Sequence, residues 1–132
     1  MKTIKLISLG MILFLIMSCN TAVKFPVSDV VPSAQISATQ KKDKNKNYDI
    51  KVTARHLANP NRLNPPKNYY VVWIVTENNG IKNIGQLLQK GSKKVELNTT
   101  TPFTVKEIFI TAEDRGDITY PGGTEITRIK MK

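Results

Sequence analysis

Residues 69–77 read YYVVWIVTE. Side chains alternate across a strand, so Tyr69, Val71, Trp73 and Val75 share one face and Tyr70, Val72 and Ile74 the other. Both faces are apolar, and the residues are β-branched or aromatic throughout. This is the pattern of a strand covered on both sides, the centre of a sheet. Asn78-Asn79-Gly80 follows and predicts a tight hairpin, since Asn-Gly accepts the positive φ of a type I′ turn. IKNIGQLLQ (81–89) is the returning strand, with Gly85 at a bulge.

Upstream, YDIKVTAR (48–55) alternates cleanly. Tyr48, Ile50, Val52 and Ala54 face one way; Asp49, Lys51, Thr53 and Arg55 face the other. SAQISAT (33–39) alternates too, and the two runs flank KKDKNK (41–46), a polar turn. LANPNRLNPPKN (57–68) is a loop, because its prolines remove backbone donors and hold φ. Downstream come KKVELN (93–98), FTVKEIFITAE (103–113), the loop DRGDITYPGG (114–123) and EITRIKM (125–131). Ile108, Ile110 and Ala112 share a face, and so do Thr127, Ile129 and Met131.

About seven short strands at regular spacing, with no convincing helix, predict an all-β fold. The expected architecture is an immunoglobulin-like antiparallel β-sandwich, with a small closed barrel as the alternative. Trp73 in the middle strand fits the core tryptophan of such sandwiches. The disulfide that often accompanies it is excluded here, since Cys19 is the only cysteine.

The chain opens MKTIKLISLGMILFLIMSCN. Lys2 and Lys5 precede twelve uncharged, largely apolar residues, Leu6 to Met17. That length suits a signal-peptide core and is short of the roughly 20 residues that cross a bilayer. Ile16-Met17-Ser18-Cys19 resembles a bacterial lipobox, with an aliphatic residue three before the cysteine and a small one just before it. The resemblance implies cleavage between Ser18 and Cys19 and acylation of Cys19. An ordinary secretory signal and an uncleaved anchor are the alternatives. One acyl chain binds a membrane marginally and two or more bind stably, so a multiply acylated Cys19 would be a lasting anchor. The expected location is the cell envelope, with Asn20 after the cysteine favouring an outer membrane.

The expected division is a signal at 1–18, a lipidated cysteine and tether at 19–31, and one sandwich domain at 32–132. Phe25, Val27, Val30 and Val31 make the tether apolar enough to supply a first edge strand, confined there by Pro26 and Pro32. Cleavage removes eighteen residues, two of them lysine and none acidic. The mature chain then has 114 residues and net charge +8, from +10 overall. Such a charge serves solubility or contact with an anionic leaflet, at roughly 1 kcal/mol per lysine near the surface. An exported chain does not meet nucleic acid.

YYVVWIVTENNGIKNIGQL and FTVKEIFITAEDRGDITYPGG together resemble the extracytoplasmic domain of the anti-sigma-K factor family. Tyr70, Trp73, Gly80, Gly85, Leu87, Glu113, Pro121, Gly122 and Gly123 carry the likeness, over about residues 69–124. That family places a sigma-binding domain and a membrane-spanning helix before this module, and neither pattern stands here. The resemblance implies the fold and a sensing or protein-contact role, not anti-sigma activity.

Candidate chemistry is sparse. His56 is the only histidine and reads as a strand-end residue. Glu113, Asp114 and Asp117 form the one possible ligand loop, for a cation or a glycan, against a solvated ion-pair turn with Arg115. Arg115-Gly116-Asp117 is an adhesion-type tripeptide of low specificity. Tyr69, Tyr70 and Trp73 read as core rather than as a sugar platform. The lysines of 41–46 read as a solvated hairpin tip, with an anionic leaflet or polymer the alternative. No nucleophile elbow, phosphate-cradling glycine loop or Cys–His pair is present. The expectation is a non-catalytic, cofactor-free, lipid-anchored module that contacts another envelope protein or polymer; a glycan-binding or glycan-cleaving protein using Glu113, Asp114, Asp117 and His56 is an alternative. A palmitate analogue fed to cells should label the wild-type chain and not Cys19→Ala; label kept by the variant would remove the acylation reading.

Overall fold

The computed structural model describes residues 22–88 and 93–131. The signal segment, Ser18 and Cys19 lie outside the described residues. Among the described residues eight strands form: β1 (Val23–Lys24), β2 (Gln35–Lys42), β3 (Tyr48–Arg55), β4 (Tyr69–Thr76), β5 (Ile81–Leu87), β6 (Lys94–Thr101), β7 (Val105–Glu113) and β8 (Thr124–Lys130). A single 3-10 turn, Pro60–Arg62, interrupts the loop between β3 and β4. The strands make two antiparallel sheets, ordered β1-β2-β3-β6 and β5-β4-β7-β8. Leaving β1 aside, this is the A-B-E sheet of an immunoglobulin-like sandwich facing a C′-C-F-G sheet. The expected all-β sandwich is therefore the fold, with a two-residue strand added at one edge.

Between the sheets, Ile36, Ala38, Ile50, Val52 and Ala54 meet Tyr70, Val72, Ile74, Ile108 and Ile110. Alternation built this layer: each residue is two positions from the next on its strand. β4 is central and loses solvent on both faces, as its composition requires. The Tyr70 hydroxyl donates to the carbonyl of Ala58, 2.7 Å away, and so ties the β3–β4 loop to the core. Burial pushes that phenol up to about 12.

Four local expectations change. Trp73 is buried but does not lie between the sheets. It belongs to a second cluster with Val71, Val75 and Phe109 on the outer face of the second sheet. The β4–β5 turn is a three-residue connection rather than a two-residue type I′ turn. Asn79 N–H bonds Thr76 O at 2.9 Å, Asn79 takes the positive φ (61°), and Thr76 Oγ1 accepts from Gly80 N at 3.1 Å. The Thr76 hydroxyl satisfies the donor that a two-residue turn would place in the ladder. In β8 a register shift opposite Ile110/Thr111 turns both Ile126 and Thr127 inward, so strict alternation fails there. Finally, residues 23–31, expected as a tether able to supply a first edge strand, do supply one at Val23–Lys24 and pack on the sandwich beyond it as well. Phe25 and Val31 enter the core, and Thr127 Oγ1 donates to Pro26 O at 3.1 Å, closing the gap between β1 and β8.

The bulge expected at Gly85 is present. Val72 pairs with Gly85 and Trp73 with Asn83, leaving Ile84 unpaired. Gly85 has φ of 137°, and a Cβ there would lie 2.8 Å from Leu97 Cδ1. Only glycine suits both demands.

Tyr70→Phe should cost about 1 kcal/mol, the usual net value of a hydrogen bond. It should also change the alkaline limb of a denaturation series. The folded phenol titrates above its unfolded value of 10.0, so its share of stability is whole below pH 10 and is lost as pH rises towards 12. Wild-type stability should fall more steeply than that of Tyr70→Phe across that window.

Candidate functional site

Antiparallel pairing sends the connections to two ends of the sandwich. Residues 25–34, 56–68 and 114–123 lie at one, here the loop end, with the C-terminal end of β5. The β2–β3 turn, the β4–β5 turn and the β6–β7 turn lie at the other, the hairpin end.

The acidic loop belongs to the loop end, and its carboxylates do not converge. Glu113 is only 5% exposed. Its Oε1 accepts from Thr111 Oγ1 at 2.8 Å and from Gly122 N at 3.0 Å. Thr111 Oγ1 in turn accepts from the Trp73 indole N–H at 2.8 Å. A chain of three hydrogen bonds thus runs from the outer aromatic cluster to the end of the loop. Asp114 is exposed and approaches Lys67 Nζ at 3.5 Å. Asp117 is exposed and takes both Arg115 Nε (3.1 Å) and Nη2 (2.9 Å). That pair holds the Asp117 carboxyl below its ordinary value and the guanidinium above its own. The Arg115-Gly116-Asp117 tripeptide therefore closes on itself. Among the described residues, no group of three or more His, Cys, Asp or Glu could hold a metal ion. His56 sits at the exit of β3 with φ of 55°, its N–H on Lys93 O at 3.3 Å.

The loop 114–123 is a roof. Ile118 packs on the outer cluster, where Trp73 and Phe109 stack at 6.1 Å. Asn83 Nδ2 donates to the carbonyls of Gly116 (3.0 Å) and Ile118 (2.9 Å). A Cβ on Gly123 would fall 1.8 Å from Ala112 O, so glycine is required where the roof meets β7. Arg128 covers the other side of Phe109, 4.1 Å from the ring centroid, and pairs with Glu125 at 2.6 Å.

Tyr70 and Trp73 are sealed, which removes them from any sugar platform; Tyr69 is exposed. Around Tyr69 two open depressions meet. One, of about 400 Å³, is lined by Gln86, Asp114, Arg115, Gly116 and Asp117; the other, of about 210 Å³, by Asn59, Pro60, Asn68, Leu87 and Leu88. Six large apolar side chains are exposed among the described residues: Val27, Val30, Tyr69, Leu88, Phe103 and Tyr120. All but Phe103 belong to the loop end. Sequence reasoning missed this set. Leu88 carried a signal, since it follows the core residue Leu87 and must point outward; Tyr120 had none.

No family model, curated protein or solved structure matches this chain.

Glu113→Ala should destabilise by about 1–3 kcal/mol, because it leaves Thr111 Oγ1 and Gly122 N short of a partner. Asp114→Ala and Asp117→Ala should stay within about 0.5 kcal/mol, as exposed sites do. Trp73 fluorescence in a urea series checks all three.

Proposed function

We propose that this chain is a lipid-anchored cell-envelope protein whose sandwich binds or scaffolds another envelope component through its loop end, without chemistry of its own. One observation carries the reading: among the described residues, five of the six exposed large apolar side chains lie at that end. Tyr69 lies between two depressions edged by Leu88 and Arg115. Apolar anchors with an aromatic centre and a polar, charged margin suit a protein partner more than a small molecule. The lipobox-like Ile16-Met17-Ser18-Cys19 supports anchoring, and Asn20 after it supports an outer membrane.

A sensory or regulatory form of the same contact is the second reading. It draws on the resemblance to the anti-sigma-K extracytoplasmic domain. Trp73, Glu113 and Gly122, which carry part of that resemblance, are joined in one hydrogen-bonded chain here.

Crosslinking in intact envelopes tests the reading. Wild type should capture a partner that Tyr69→Ala and Leu88→Ala lose by about tenfold or more, the size expected for a hot spot near 1.4 kcal/mol or above. Cys19→Ala should lose it as well. Capture unchanged in both loop-end variants would place the contact elsewhere.

A further inference from the structure

The hairpin end has the opposite character, and the path of the chain ties it to the bilayer. Val23 pairs with Ala38 and Lys24 with Ser37, antiparallel. The chain therefore reaches the sheet from the side of Thr39 and Lys41, the hairpin end. Past Ala38, β2 continues four residues to Lys42, about 14 Å at roughly 3.4 Å per residue. Cys19 stands four residues before Val23, and four residues span at most about 14 Å. Even fully extended, the tether carries Cys19 no farther than the end of β2. The turn Asp43–Asn47 projects beyond that point. An anchor at Cys19 therefore keeps β1, which the chain enters from the hairpin end, within about 14 Å of its point of attachment.

The side chains there suit such a surface. Lys41, Lys42, Lys44 and Lys46 are all exposed, and none forms an ion pair among the described residues. Asp43 is the only acid in the turn. It is committed to the backbone: Oδ1 accepts from Asn45 N at 2.8 Å and from Asn47 N at 2.9 Å. Of the other acids at this end, Asp49 accepts from Thr100 Oγ1 at 2.8 Å, Glu107 faces Arg128 at 3.5 Å, and Glu77 is exposed in the separate β4–β5 turn. Phe103, exposed at the same end, lies 5.4 Å from Lys82 Nζ. Clustered lysines, at an end that also exposes an aromatic ring, match an anionic headgroup layer.

We propose that the β2–β3 hairpin end is a docking surface for anionic lipid headgroups, seated by Lys41, Lys42, Lys44 and Lys46, which holds the loop end away from the bilayer. It rests on the reading of Cys19 as the anchor. The anchor supplies proximity; the lysines set the orientation.

Full chain purified from membranes is reconstituted into vesicles of phosphatidylcholine, alone or with about a third phosphatidylglycerol. Hydrogen exchange is followed by peptide, and the mass of the N-terminal peptide reports acyl groups on Cys19. In anionic vesicles, amides of 43–48 should exchange about tenfold more slowly than in neutral ones. The protection should vanish in about 0.5 M salt, where the screening length falls below about 5 Å. It should also vanish in the K41Q/K42Q/K44Q/K46Q variant, while 114–123 stays unchanged throughout. An acylated chain whose hairpin exchanges equally in both vesicles overturns this proposal and leaves the anchor standing. Protection of 114–123 in place of the hairpin overturns it too. A peptide without acyl groups overturns the anchor and the proposal together.

Discussion

β4 is apolar on both faces, and a strand of that kind is stable only if both faces lose contact with water. The inner face is covered by β2 and β3. Among the described residues no third sheet covers the outer face; a roof of residues 114–123 and the Arg128 side chain does. The roof is short, and its apolar contact with the cluster is the partly buried Ile118. It is held mainly by polar ties: Glu113 to Gly122, and Asn83 to two carbonyls. The acidic loop is therefore an answer to a packing problem set forty residues earlier. Glu113 is spent on that answer, which is why its carboxylate does not join those of Asp114 and Asp117.

The same constraint accounts for the structural tasks of most of the residues on which the sequence was compared with the anti-sigma-K extracytoplasmic domain. Tyr70 and Leu87 are core residues, Gly85 makes a bulge that clears Leu97, and Trp73, Glu113, Gly122 and Gly123 build the roof. Each has an architectural task. A likeness resting on them speaks to how a central strand is sheathed. The exposed residues at the loop end, Tyr69 and Leu88 among them, stand apart from that set except where they adjoin it in sequence.

The two ends of the sandwich acquire different characters through topology alone. Antiparallel strands send alternate connections to opposite ends. The long connections at 25–34, 56–68 and 114–123 fall together and carry apolar tips. The short turns fall together at the other end, with the lysines of 41–46. Because β1 pairs antiparallel with β2, the chain from Cys19 enters at the lysine-bearing end. A two-residue strand thus determines which end meets whatever holds the amino terminus.

Local pattern was enough to read the strands from 48 to 131 to within a few residues, the bulge at Gly85 and the two-sheet class. Those features follow from period-two alternation and from glycine's freedom at positive φ, both written in neighbouring residues. The solvated pairing of Arg115 with Asp117 was also legible, since the two are adjacent on one turn. What alternation could not say is which face of β4 points at the other sheet, for both faces are equally apolar. That choice put Trp73 outside the inter-sheet core and under a roof. Nor could it say that Phe25 and Val31 leave the tether for the core, or that Val27, Tyr69, Leu88 and Tyr120 share an end. Those are placements of residues as much as about a hundred positions apart in the chain. They are decided by which surfaces remain uncovered once the two sheets have closed on each other.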